Sequence, residues 1–138
     1  MEGLLNDKDR RRYPRIVINL PLEYQDMGDH NLRGATVVNA GAGGFLIEST
    51  RDMPVGTKLS ITLLFSKGFE LIDFKAVTKI VRKEHYSKED SEGKQIWEGY
   101  LYGLEFIQIL NGDHWKLNWL LSGQSDFEEI FSSLMGQL

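Results

Sequence analysis

The chain of 138 residues contains no cysteine. Disulfides and thiolate metal sites are therefore excluded, and the redox compartment is left open. Histidine is nearly as scarce: His30, His85 and His114 stand far apart, with no HxxxH or HExxH spacing. No metal site is expected, and solvated imidazoles are the default. There is neither a nucleophile elbow nor a Walker-type loop, so the chain does not read as an enzyme or as one that carries a cofactor. No segment approaches the run of about 18 apolar residues that crosses a bilayer, and the opening MEGLLNDKDR lacks the apolar core of a secretion signal. A cytoplasmic protein that does not engage a membrane is the expectation.

What is present is an ordinary globular composition, 41% apolar and 26% charged, at a length that suits one domain. The net charge of −4 argues against binding a nucleic-acid polymer, which requires neutralising many phosphates. Yet four of the sixteen basic residues are concentrated in Arg10-Arg11-Arg12-Tyr13-Pro14-Arg15. A short basic segment on an acidic protein suits a small anion better than a long one.

From Ile16 onward the dominant pattern has period two, the mark of half-buried strands. Ile16, Ile18, Leu20, Leu22 and Tyr24 share one face, and Pro21 assigns that strand an edge or a bulge. Asp26 to Asn31 reads as a turn and Leu32 to Val38 as a second strand. Gly41 to Gly44 reads as a glycine reversal, and Phe45 to Glu48 as a short strand leaving it. After a loop from Arg51 to Thr57, Leu59, Ile61, Leu63 and Phe65 mark a fourth strand. The Lys67-Gly68 turn leads into a long strand from Phe69 to Arg82. The charged stretch Glu84 to Gln95 has no apolar period and reads as an exposed loop, with Trp97 to Ile109 as the last strand. Six strands in so short a chain predict a mainly β, antiparallel, closed or nearly closed barrel, which removes exposed edges.

The C-terminal end changes character. Asp113 is placed to cap a short helix carrying Trp115, Trp119 and Leu120. Beyond Gly123, Ser125 and Glu128 have capping-box spacing, and Phe127, Ile130, Phe131, Leu134 and Met135 form a helical apolar stripe. The plain reading of the stripe is packing over one barrel end; the other is a homodimer or partner surface. The resulting division is a tail over 1–9, a barrel domain over 10–122 and an amphipathic helix over 123–138.

Two clusters carry chemistry. The first is the arginine arm, where Arg11 and Arg15 lie four apart on a segment stiffened by Pro14. A guanidinium grips a phosphate with two parallel hydrogen bonds and stacks its flat face on a base. The bland alternative is a solvated basic arm. The second is Asn39-Ala40-Gly41-Ala42-Gly43-Gly44. Its bland reading is a reversal in which glycines supply positive φ. Its functional reading is a backbone that approaches a flat ligand closely at Gly41, Gly43 and Gly44, with Asn39 offering a donor and an acceptor to a base edge.

Together, Arg11-x-x-x-Arg15 and Asn39-x-Gly41-x-x-Gly44 resemble the two motifs of the PilZ family, RxxxR and (D/N)xSxxG. The likeness extends to the run Arg10 to Ile16 leading into the first strand, to Tyr102-Gly103-Leu104-Glu105-Phe106 in the last, and to the C-terminal helix. It covers roughly residues 10 to 122. The resemblance implies a six-stranded barrel whose arm folds over cyclic di-GMP, a bacterial second messenger. On that likeness Arg11 and Arg15 meet phosphates and guanine faces, Asn39 reads a guanine edge, and Gly44 holds the turn. Arg10 influences whether one or two ligand molecules bind. It also implies an effector acting on an unidentified downstream protein in motility, exopolysaccharide production or a related process.

One position departs from the family pattern: Gly41 stands where serine is usual. A missing neutral hydrogen bond costs about 0.5–1.5 kcal/mol, up to about tenfold in affinity, so weakened binding is expected. The alternative reading is a PilZ-like interaction module that no longer binds the nucleotide. A barrel for single-stranded RNA is disfavoured, because the basic residues sit on the arm and not beside a face of aromatics.

Overall fold

Alternation of apolar and polar side chains decides how the sheet closes. The computed structural model describes residues 16–122, and the following elements lie within them. Six strands, β1 (Ile16–Asp26), β2 (Leu32–Gly41), β3 (Gly44–Ser49), β4 (Lys58–Lys67), β5 (Glu70–Glu89) and β6 (Gln95–Ile109), precede a 3-10 turn at Leu110–Gly112. A helix, α1, covers 114–122. All neighbouring strands are antiparallel, and they form a closed ring in the order β1-β2-β3-β6-β5-β4. The expected six-stranded antiparallel barrel is observed.

Inward positions follow the period of two. Leu22, Tyr24, Val37, Phe45, Ile47, Leu59, Ile61, Leu63, Phe74, Ala76, Ile80, Tyr102 and Leu104 are all buried. Phe45, Phe74 and Phe106 meet edge to face, at centroid separations of 4.9 to 5.8 Å. Burying each such side chain contributes roughly 1.5–3 kcal/mol, so the interior supplies most of the drive to fold. Closure is made where β1 pairs with β4, from Leu22↔Leu63 to Asp26↔Leu59. Pro21 sits one residue before that ladder and pairs only toward β2, and the β1–β2 register shifts between Val17 and Leu20. Both the edge and the bulge expected of this proline segment are present.

Buried polar groups tie the loops to the barrel. The Tyr102 hydroxyl donates to the Arg51 carbonyl and accepts the Met53 N–H at 2.8 Å. Burial pushes the Tyr102 phenol above its ordinary range. The Tyr24 hydroxyl meets Ser49 at 3.1 Å. At the other end α1 buries Leu117, Leu120 and Leu121 and stacks Trp119 on Phe65 at 5.6 Å. Asp113 stands before this helix as expected, but its carboxylate turns elsewhere. It accepts the Lys75 backbone N–H and pairs with Lys116 Nζ at 3.0 Å, fastening the helix to β5.

Three expectations are corrected. The stretch Glu84 to Gln95 is not a loop: β5 runs on to Glu89, β6 begins at Gln95, and they pair outward to Glu89↔Gln95. This two-stranded ribbon extends past the core, so neither face needs an apolar period. Second, β2 continues to Gly41 and β3 begins at Gly44, leaving only Ala42-Gly43 as the turn. Third, the left-handed glycines among the described residues are Gly56, Gly68, Gly93 and Gly112, not those of this hairpin. The second helix expected from the Ser125 capping box, with its Phe127–Met135 stripe, and the tail over 1–9 lie outside the described residues.

Candidate functional site

Strand register gathers the second sequence cluster on one patch of the outer barrel wall. Ala40 and Phe45 are buried cross-strand partners, so their neighbours Asn39 and Leu46, also paired, face outward. Asn39 is half-buried. Gly41 pairs with Gly44 at the hairpin end, and both are buried.

Gly44 is fixed by close approach. A Cβ there would lie 1.7 Å from the Leu104 carbonyl oxygen, because β3 is drawn tightly onto β6. The Gly43 carbonyl accepts the Phe106 N–H at 2.9 Å, tying the turn to the same strand. Among the described residues no atom lies within 4 Å of the Gly43 Cβ direction, and Gly43 is exposed. Gly44 is thus required by the neighbouring strand, and Gly43 is exposed at the turn.

The first described residues of β1 lie beside this hairpin. Ile16 pairs with Ala40, and Val17 with Asn39. The arginine arm is therefore attached to the sheet next to the glycine segment. Arg10, Arg11 and Arg15 themselves lie outside the described residues.

The Asn39 register continues around the wall. Val17, Asn39, Leu46, Gly103 and Arg82 form one row across β1, β2, β3, β6 and β5. Val17 is 80% exposed, and Leu46 and Gly103 are half-buried. Nothing in the sequence pattern joined Arg82 to Asn39, which is far away along the chain. The one available signal was Gly103, a glycine inside a strand, which often marks close approach.

A depression of about 340 Å³ lies farther along the wall and is lined by residues that include Gly34, Thr36, Glu48, Thr50 and Trp97. The Trp97 indole covers Gly99, where a Cβ would meet it at 2.5 Å. Lys88 pairs with Glu48 at 2.9 Å, and that hydrogen bond raises the lysine pKa. The depression is thus lined in part by one member of a neutralised pair and by an indole. Neither was singled out in the sequence.

Several charged groups elsewhere are engaged in surface pairs. Asp52 is bonded to Lys83, which lowers the carboxyl pKa and raises that of the ammonium. Glu98 bonds His85 at 2.8 Å and is held below its ordinary value by that bond and by Gln95. His30, His85 and His114 are exposed on separate elements. Among the described residues no group of three or more histidine or acidic side chains is gathered for a metal, and no helix is long and apolar enough to cross a membrane.

Residues 9–123 match the PilZ domain. Among solved structures, the chain resembles the PilZ domain of YcgR from Escherichia coli, described with c-di-GMP, at a TM-score of 0.69 and 11% identity, covering 90% of this chain and 98% of that one. It also resembles the Bacillus subtilis inhibitor of motility MotI/DgrA, at 0.64 and 17% identity, covering 84% of this chain and 51% of that one. A third similar structure is MrkH, a c-di-GMP-dependent transcription regulatory factor, at 0.66 and 10% identity, covering 83% of this chain and 51% of that one. The chain spans about half the length of MotI/DgrA and of MrkH. No curated protein matches. At these identities the structural likenesses speak to the fold alone.

Proposed function

We propose that this chain, which belongs to the PilZ domain family, is a cyclic di-GMP receptor that passes the signal to a downstream protein. One observation carries the reading: β1 begins against the Asn39–Gly44 hairpin, through Ile16↔Ala40 and Val17↔Asn39. An arm with Arg11 and Arg15 is thereby tethered to the second motif, so closing over a small ligand spans a short distance. The likeness to the YcgR domain described with c-di-GMP and to the c-di-GMP-dependent factor MrkH supports the same ligand class.

In this reading the two arginines bind phosphates and guanine faces with charge-assisted hydrogen bonds, each contributing about 1.5–3 kcal/mol. Arg10 bears on ligand stoichiometry. Asn39 reads a guanine edge, and the exposed backbone of Gly43 receives the ligand. Gly41 supplies no hydroxyl, so affinity is about tenfold below that of a serine-bearing site at most. Ligand binding orders the arm and alters the surface offered to the partner. The protein works in the cytoplasm, without catalysis, as a barrel over 10–122 with a tail before it and a helix after it. The Phe127–Met135 stripe is its candidate dimer or partner surface.

A second reading, an interaction module without nucleotide binding, is favoured by Gly41 alone. Amide chemical-shift mapping with cyclic di-GMP separates the two. The receptor reading expects shifts concentrated at Val17 and from Asn39 to Gly44. No shifts at saturating ligand favour the module.

A further inference from the structure

The three described arginines differ in what holds them. Arg51 pairs with Asp29 at 2.9 Å and with Asp26 at 3.5 Å, and Arg33 pairs with Asp29 at 3.4 Å. Arg82 is exposed and has no hydrogen-bond or ion-pair partner among the described residues, although the adjacent Lys83 is bound to Asp52. An unpaired guanidinium keeps all five of its donors available for a ligand.

Its position is also specific. Arg82 pairs with Gly103, and the direction a Gly103 Cβ would take meets Arg82 Cβ at 3.2 Å and Nε at 3.7 Å. The arginine therefore leans back over β6, toward the side where Leu46 and Asn39 lie. Three strand spacings separate Asn39 from Arg82, about 14 Å along the wall. Between them the row offers Leu46 and Gly103, an apolar side chain and a backbone with no side chain. That surface is low and apolar enough for a purine ring to lie on.

The geometry points to Arg82 as a third ligand arginine, one that reads the O6/N7 edge of a guanine resting on Leu46. This inference rests on the receptor reading above and deepens it. Guanine presents two acceptors, O6 and N7, spaced for the fork of one guanidinium, whereas adenine replaces O6 with an amino donor. Arg82 therefore acts in base selection at the end of the row opposite β1. The neighbouring outward row carries Gly44, Glu105 and Lys79, so the Asn39 row has one cation, Arg82, and no carboxylate.

The test is calorimetric titration of the full chain with cyclic di-GMP, comparing wild type, Arg82→Ala, Arg82→Lys and Arg33→Ala. Losing a two-pronged base contact weakens binding by about tenfold to a hundredfold. Arg82→Ala is expected to show that loss and Arg82→Lys to stay close to it, because an ammonium is a point charge and not a fork. Arg33→Ala is expected to bind like wild type. Because Arg82 has no partner among the described residues, both of its variants are expected to melt with the wild type. Wild-type affinity in Arg82→Ala overturns the inference and leaves the receptor reading standing. Full recovery in Arg82→Lys overturns the guanidinium fork in favour of a contact that one ammonium can make. Absence of binding by the wild type removes the inference together with the receptor reading.

Discussion

The β2–β3 hairpin and the β5–β6 ribbon are both antiparallel reversals, yet they are held by different forces. The first is short, turns on Ala42-Gly43, and is drawn so close to β6 that Gly44 leaves no room for a side chain. Its backbone is tied through the Gly43 carbonyl to Phe106, and its inner residues Phe45 and Ile47 are fully buried. The ribbon runs past the core and is braced by side chains: His85 with Glu98, Lys88 with Glu48, and Tyr86 tilted against Trp97. A region fixed by backbone contact can serve as a rigid platform for a ligand. One fixed by exposed pairs is free to vary without loss of the fold.

The comparison breaks most visibly at Gly44. Gly44→Ala forces a Cβ into the Leu104 carbonyl, and strands on both sides must shift. We expect a loss of about 3 kcal/mol or more, seen as a lower midpoint in urea unfolding. A wild-type midpoint would show that the β3–β6 contact relaxes freely. Next in size are the arm substitutions. Arg11→Ala and Arg15→Ala are each expected to weaken cyclic di-GMP binding by about tenfold or more, with Arg33→Ala unchanged. Equal losses at all three would reduce the effect to nonspecific attraction.

Most of the barrel was legible in the sequence because one physical rule wrote it. Where a strand lines the core, burial imposes a period of two, and Ile16 to Tyr24 or Leu59 to Phe65 show it directly. The rule fell silent for Glu84 to Gln95, since a ribbon with no buried face has no reason to alternate. The glycine hairpin was legible as a reversal, but its turn is shorter than the pattern suggested and its glycines serve a different purpose. Neither composition nor motif reveals that Gly44 is excluded by the Leu104 carbonyl, which requires the β3–β6 register. The row from Val17 to Arg82 was hidden for the same reason, because its members come from five separate strands.

Smaller effects sharpen the picture. Gly41→Ser restores the hydroxyl usual at this position, and we expect binding to tighten by up to about tenfold. Unchanged affinity in a variant that still folds would mean that the missing hydroxyl is not what limits binding. The smallest change belongs to the ribbon. The His85 and Gln95 side chains hold Glu98 below its ordinary carboxyl value of 4.5. A depressed carboxyl contributes stability above its unfolded value, and the contribution fades as pH falls through the folded one. Hydrogen exchange at Tyr86 to Glu98, corrected for the intrinsic pH dependence of exchange, should therefore lose protection as pH falls below about 4.5, while the Gly43–Phe106 contact keeps its own. Simultaneous loss at both places would deny that the two reversals are held independently.

The central claim is that the arm and the hairpin together form one site for cyclic di-GMP. Calorimetric titration of the full chain tests it most directly. The account predicts saturable heat with a defined stoichiometry. No heat, with no change in amide chemical shifts at about hundreds of micromolar ligand, would contradict it.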